Sequence, residues 1–147
     1  MRISLQTAET NGKARATGPY MHAMVQTYWR DMIPWGTLSL PEIFTVIKNI
    51  PYRADPPDVE TLMRPYYTMR QLGWGGDCDD KAIALACWAV INRIPYRFVA
   101  VRKHGMPTLH HVFTQLYTNG KWISADVTYS VNLLGRERDT YVERVII

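Results

Sequence analysis

Gly73-Trp74-Gly75-Gly76-Asp77-Cys78-Asp79-Asp80-Lys81 runs directly into Ala82-Ile83-Ala84-Leu85-Ala86-Cys87-Trp88-Ala89-Val90-Ile91. Loop residues give way to strong helix formers within two positions. Asp77 is a good N-cap, which puts Cys78 at the first helical position and Asp80 at the third. The helix that follows is apolar nearly all round, so it is expected to be central and buried. A cysteine at its first residue meets open backbone N–H groups and the positive end of the helix dipole, a setting that favours a thiolate. Asp77, Asp79 and Asp80 complement the same helix end, yet they also oppose thiolate formation. Most cysteines outside disulfides are small buried fillers. Cys87, mid-helix among apolar neighbours, fits that description, and Cys78 does not.

Beyond Asn92 the pattern changes from helical to alternating. Tyr96, Phe98, Ala100 and Arg102 alternate with Arg97, Val99, Val101 and Lys103, which reads as a strand. His110 to Thr118 and Lys121 to Asp126 read as two more strands, joined by the strong hairpin signal Asn119-Gly120. A two-residue turn puts Thr118 opposite Lys121, and therefore Phe113 opposite Asp126 and His111 opposite Thr128. Side chains alternate along a strand, so His111 shares a face with Phe113. His111 and Asp126 are then diagonal neighbours, about 7–8 Å apart at the backbone, within reach of a carboxylate–imidazole bond. The same alternation sends His110 to the opposite face.

A cysteine at a helix start and a His–carboxylate pair on adjacent strands form the logic of a thiol acyl-transfer site. Cys78 attacks a carbonyl, His111 moves the proton, and Asp126 holds the imidazole. The Cys78 backbone N–H can supply one oxyanion donor. Gln71, Trp74 and Tyr67 are candidates for a second, with Gln71 slightly preferred. The acidic run lacks the twelve-residue pattern and terminal Glu of a calcium loop. Zinc would need more Cys or His at metal spacing. No metal and no cofactor is expected.

Upstream, Met21, Met24, Val25, Tyr28, Trp29 and Met32 make a helical stripe, with His22 beside it as a partly packed or exposed histidine. Ser39 and Glu42 form a capping box for a helix carrying Ile43, Phe44, Ile47 and Ile50 and ended by Pro51. Asp58 to Arg70 reads as a short helix broken at Pro65. Arg2 to Gln6 reads as a short strand before a mobile segment. The final Tyr141-Val142 and Val145-Ile146-Ile147 are apolar enough to dock or to add a strand.

The length of 147 residues and an apolar share of 47% allow one domain with a real core. Without a repeat or linker, residues 1–147 are read as a single domain, with 1–20 as a mobile N-terminal segment. The formal charge of +4 is scattered, and Arg102-Lys103 is the sole adjacent basic pair. Nucleic acid is therefore not expected as the primary partner. The longest apolar run, Ala82 to Ile91, is too short for a bilayer, which needs about 20 residues. With no secretory signal visible, a soluble, cytoplasmic protein is expected. On one helix Cys78 and Cys87 would sit about 13 Å apart on opposite faces, too far for a disulfide, so both are expected reduced.

Four stretches together resemble the transglutaminase-like cysteine-protease superfamily: Gly76-Asp77-Cys78-Asp79-Asp80-Lys81-Ala82, Ile94 to Val99, His111 to Leu116, and Gly120 to Thr128. The order Cys, His, Asp matches, and the likeness covers about Ser39 to Ser130, nearest in form to compact bacterial and phage members. It implies an α+β, papain-like core, with the nucleophile helix packed on an antiparallel sheet and further helices before it. It implies Cys78 as nucleophile, His111 as base and Asp126 as orienting acid. Two positions depart from the family pattern: Phe113 stands where Trp is frequent, and Gln115 where Glu is. Peptides or proteins are the implied substrates, and the likeness to small bacterial and phage members, which look more like hydrolases, implies a peptidase or amidase. The alternatives are a protein-glutamine crosslinking or deamidating enzyme, and a non-catalytic binding or assembly protein, for example of a phage particle, on the same fold.

Overall fold

The computed structural model describes residues 2–6, 13–56, 59–70 and 75–147. The buried helix read from the sequence is α4, Cys78–Ile91, and the rest of the chain wraps it. Its side chains from Asp79 to Ala89 are all buried, and its alanines let neighbours approach from several sides. Preceding it are β1 (Arg2–Gln6), α1 (Lys13–Tyr28), a 3-10 turn (Trp29–Trp35), α2 (Leu40–Lys48), β2 (Val59–Met63) and α3 (Pro65–Thr68). Four strands follow or flank it: β3 (Tyr96–Lys103), β4 (His111–Thr118), β5 (Lys121–Ala125) and β6 (Tyr141–Ile146). They form an antiparallel, curled sheet in the order β5-β4-β3-β6. This is the expected α+β, papain-like and transglutaminase-like arrangement.

One face of that sheet closes on α4. Phe98, Val112 and Leu116 join Met21, Met24 and Val25 of α1 and Ile43, Phe44 and Ile47 of α2 around the helix. The Thr114 hydroxyl on β4 donates to the Ala82 carbonyl at 2.9 Å, so the sheet–helix contact also carries a buried hydrogen bond. The C-terminal residues add β6 to the open edge of β3. Ile147 continues past the strand, its N–H bonding Phe98 O at 3.1 Å and its carbonyl reaching His22 Nε2 at 2.9 Å. His22 is therefore packed and partnered.

Both capping boxes and the hairpin follow the sequence. Ser39 pairs with Glu42, and Asp77 with Asp80. Asn119 and Gly120 have φ of 52° and 78°, the left-handed pair that a type I′ turn requires. The pairing runs in the expected register from Thr118↔Lys121 to Thr114↔Ala125.

Several expectations need correction. The stripe assigned to a helix at Met21–Met32 belongs to one that begins at Lys13, and its last part tightens into the 3-10 turn. Thr17 is buried one turn before Met21, so the inward face extends through a polar residue that hydropathy does not reveal. Residues 13–20 are thus helical, and Arg2–Gln6 pairs with β2; residues 7–12, where the mobile stretch was expected, lie outside the described residues. The helix read across Asp58 to Arg70 is a strand, β2, followed by the single turn α3. Prolines at both ends leave room for a strand, and the partner that stabilises it is the distant β1. The helix α2 ends at Lys48, before Pro51 is reached. Among the described residues no helix is long and apolar enough to cross a membrane.

Candidate active site

The start of α4 is built by local hydrogen bonds. The Asp77 carboxylate accepts from the Asp80 N–H at 3.4 Å, and the Asp80 carboxylate accepts from the Asp77 N–H at 3.2 Å. Asp80 also accepts from the Met63 N–H at 2.8 Å, which ties β2 to the helix end. Burial, and next the Asp77 charge, push the Asp80 carboxyl well above the usual range. That favours its neutral form and lessens the opposition to a thiolate read from the sequence. The oxygens of Asp77, Asp79 and Asp80 lie within 4.8 Å of one another, and two of the three residues are committed to the capping box.

Gly75 and Gly76 are needed for what stands beside them. Gly75 has φ +65°, and a Cβ there would lie 2.5 Å from the Pro51 carbonyl oxygen. The close approach lets the Gly76 N–H bond Pro51 O at 3.2 Å and Gly76 O accept from the Arg53 N–H at 2.9 Å. Tyr52 is thereby fixed beside Gly76, which lies two residues before Cys78 in the chain.

His111 and Asp126 come from β4 and from the residue after β5. His111 Nε2 lies 2.7 Å from Asp126 Oδ2, and both are buried. The other carboxylate oxygen accepts from the Thr128 N–H at 3.1 Å. Burial pushes the Asp126 carboxyl up, but bonds from His111 and Thr128 outweigh it and hold the group below the ordinary carboxylate range. An anionic Oδ2 needs a donor, so Nε2 carries the proton and Nδ1 is left with a lone pair. Cys78, half-buried, lines a cavity of about 200 Å³ together with His111 and Asp126.

His110 lines that same cavity, against the expectation of opposite faces. Its ring lies 6.4 Å from that of His111. It precedes the first residue of β4, so the alternation that holds inside the strand does not govern it. Burial, then the His111 and Lys103 charges, lower its pKa. Gln71 and Trp74 lie outside the described residues. Tyr67 sits in α3 with its ring edge-on to Tyr66 at 5.1 Å, and it is not among the residues that line the cavity. Phe113 keeps an aromatic ring 5.9 Å from that of His111. Gln115 accepts from Arg97 Nε at 2.8 Å and donates to the Ser124 hydroxyl at 3.1 Å, a cross-strand polar link.

Three residues the sequence reading did not single out complete the site. Tyr52 and Tyr129 line the cavity with their rings stacked, 5.4 Å apart and 28° from parallel. Tyr129 in turn stacks on His111 at 6.4 Å. Lys81 is fully buried, and its ammonium donates to Ile50 O at 2.5 Å and Thr128 O at 2.8 Å. Those carbonyls lie just before Pro51-Tyr52 and Tyr129. The available signal was a lone cation inside a helix otherwise apolar from Ala82 onward.

Residues 42–127 match the family model of the transglutaminase-like superfamily, a span that contains Cys78, His111 and Asp126. A crystal structure from Cytophaga hutchinsonii, provisionally described as that of a cysteine protease, is similar at 15% identity and a TM-score of 0.48. The similarity covers 85% of this chain and 42% of that one, so the chain spans less than half the length of that relative. No curated protein matches the sequence.

Proposed function

We propose that this chain, which belongs to the transglutaminase-like superfamily, is a thiol-dependent acyl-transfer enzyme, a cysteine peptidase or amidase acting on peptide or protein substrates as a single domain. Cys78 is its nucleophile, His111 its base and Asp126 the acid that orients the imidazole. The observation that carries this reading is the 2.7 Å His111–Asp126 bond in the cavity that Cys78 lines from a helix N-terminus.

The residues divide the work as their surroundings dictate. Asp126 fixes the imidazole so that Nδ1 offers its lone pair to the thiol proton. Cys78 Sγ then attacks a carbonyl carbon, and the Cys78 N–H meets the oxygen on which charge develops. Collapse of the intermediate expels the leaving group with the proton held by His111 and leaves a thioester. Water completes hydrolysis, and an amine acceptor would complete transfer. Neither cysteine is in a disulfide, which suits a reducing cytoplasm.

The test is the pH dependence of Cys78 alkylation by iodoacetamide, read by mass spectrometry with Cys87 as internal control. Fast reaction well below pH ~8, lost in Cys78→Ala and weakened in His111→Ala, is the expected result. A Cys78 that titrates like an ordinary thiol near pH ~8.5 would overturn the enzyme reading in favour of a binding or assembly protein on this fold.

A further inference from the structure

A tetrahedral intermediate on Cys78 needs a second hydrogen-bond donor, because one backbone N–H leaves the developing charge half served. The leaving group must face His111, so the oxyanion must turn away from it. Rings in the order His111, Tyr129, Tyr52 stand side by side along the cavity, at 6.4 Å and then 5.4 Å. Tyr129 is thus the ring that stacks on the histidine, and Tyr52, which stacks on Tyr129, has its backbone beside Gly76 at the start of the nucleophile helix, where the Cys78 N–H meets the oxyanion. Both phenols line the same cavity as Cys78, which places them beside the nucleophile.

We propose that Tyr52 is a catalytic residue, its hydroxyl donating the second hydrogen bond, beside the Cys78 backbone N–H, to the oxyanion formed when Sγ attacks the substrate carbonyl. The proposal rests on the reading of Cys78 as nucleophile. As the C–S bond forms, the C=O π pair moves onto oxygen, and the Tyr52 proton is shared without being transferred. When the C=O bond re-forms, the pair returns and the leaving group departs.

The tyrosine is held for this task. Its backbone is pinned between the two hydrogen bonds of Gly76, two residues before Cys78. Lys81, three residues after Cys78 on the same helix, grips Ile50 O before it and Thr128 O before Tyr129. The helix that carries the nucleophile thus fixes both tyrosine-bearing segments, so little reorganisation is left for the moment of reaction. In the resting site the Tyr52 ring lies stacked on that of Tyr129, 5.4 Å away. An oxyanion is a stronger acceptor than a phenol oxygen, so the Tyr52 O–H rotates toward it. Tyr52 is 47% exposed, yet the partial burial of its side chain, and next the charge of Cys78, push its hydroxyl above the ordinary phenol range, so it remains a donor.

Two probes of the same thiol separate this role from any other. Iodoacetamide reacts by displacement at a saturated carbon and forms no oxyanion. p-Nitrophenyl acetate acylates the thiol through a tetrahedral oxyanion and releases p-nitrophenolate. In the full chain, with Cys78→Ala as background, Tyr52→Phe is expected to leave alkylation unchanged and to slow acylation about 100-fold. The unchanged alkylation also certifies that the variant is folded. Acylation at the wild-type rate, or a parallel fall in both rates, overturns the proposal. A wild-type Cys78 that neither alkylates at low pH nor acylates removes the enzyme reading itself, and this proposal with it. Fast wild-type alkylation and acylation with no loss in Tyr52→Phe removes only the role of Tyr52.

Discussion

At its first residue α4 carries Cys78, half-buried beside a cavity, with a histidine–aspartate pair across from it. Nine residues on, the same helix carries Cys87, with 0% exposure among apolar side chains. At the first residue the backbone N–H groups are not consumed by the helix and the dipole is positive. In the middle those N–H groups are bonded within the helix, and burial pushes the Cys87 thiol up from its ordinary value. Composition does not separate the two cysteines; position on the helix does. The change from one environment to the other occurs across Asp80 and Lys81, both buried and both hydrogen-bonded to segments outside the helix.

The largest expected difference lies on the far wall of the cavity. His111→Ala removes the proposed base and should lower acyl transfer from p-nitrophenyl acetate by about 10²–10⁴-fold. His110→Ala should cost far less, although its ring lines the same cavity, because Asp126 is bonded to His111. Steady-state rates of the two variants, with thermal melting to confirm folding, check this. Equal losses would mean that His111 and His110 share the role and that the hairpin register does not select between them.

What was legible in the sequence was local. Asp77 and Asp80 are three residues apart, so their capping box is written in neighbouring positions. Asn119-Gly120 demands left-handed backbone, and from that turn alone the register carries His111 toward Asp126. The long-range parts were not legible. β2 exists because β1 pairs with it from the start of the chain. Tyr52 and Tyr129 meet because Gly76 and Lys81 draw in segments far away in sequence, and no periodicity encodes that. His110 departs from the alternation because it precedes the first residue of β4, where the pleat does not yet set the side-chain direction.

Lys81 sharpens the comparison through stability. Lys81→Met leaves the Ile50 and Thr128 carbonyls without their donor and relieves a buried charge, for a net loss of about 2 kcal/mol near neutral pH. Burial lowers the Lys81 pKa from 10.5 to about 8, with the Asp126 charge opposing the shift. The unfolded chain therefore holds this proton more tightly than the native one, and the stability contributed by Lys81 rises with pH between those two values. Urea midpoints should show the gap between wild type and Lys81→Met widening as pH rises from about 8 toward 10. A gap that stays flat or narrows would show that the ammonium is not held in that environment.

Cys87 should give the smallest effect, with a pH dependence of the opposite sign. Cys87→Ala removes about one buried heavy atom and should cost about 1 kcal/mol, with acyl transfer and Cys78 alkylation untouched. In the wild type, Cys87 should resist iodoacetamide until the protein unfolds. Its native pKa is raised by burial, so the unfolded thiol ionises first as pH rises past about 8.5. The native state then holds more protons than the unfolded one, and the stability Cys87 contributes falls with rising pH. The gap between wild type and Cys87→Ala should accordingly narrow over the range in which the Lys81 gap widens. Rapid labelling of Cys87 in the folded protein, or a gap that widens with pH, would place this thiol in contact with water and erase the contrast between the two ends of α4.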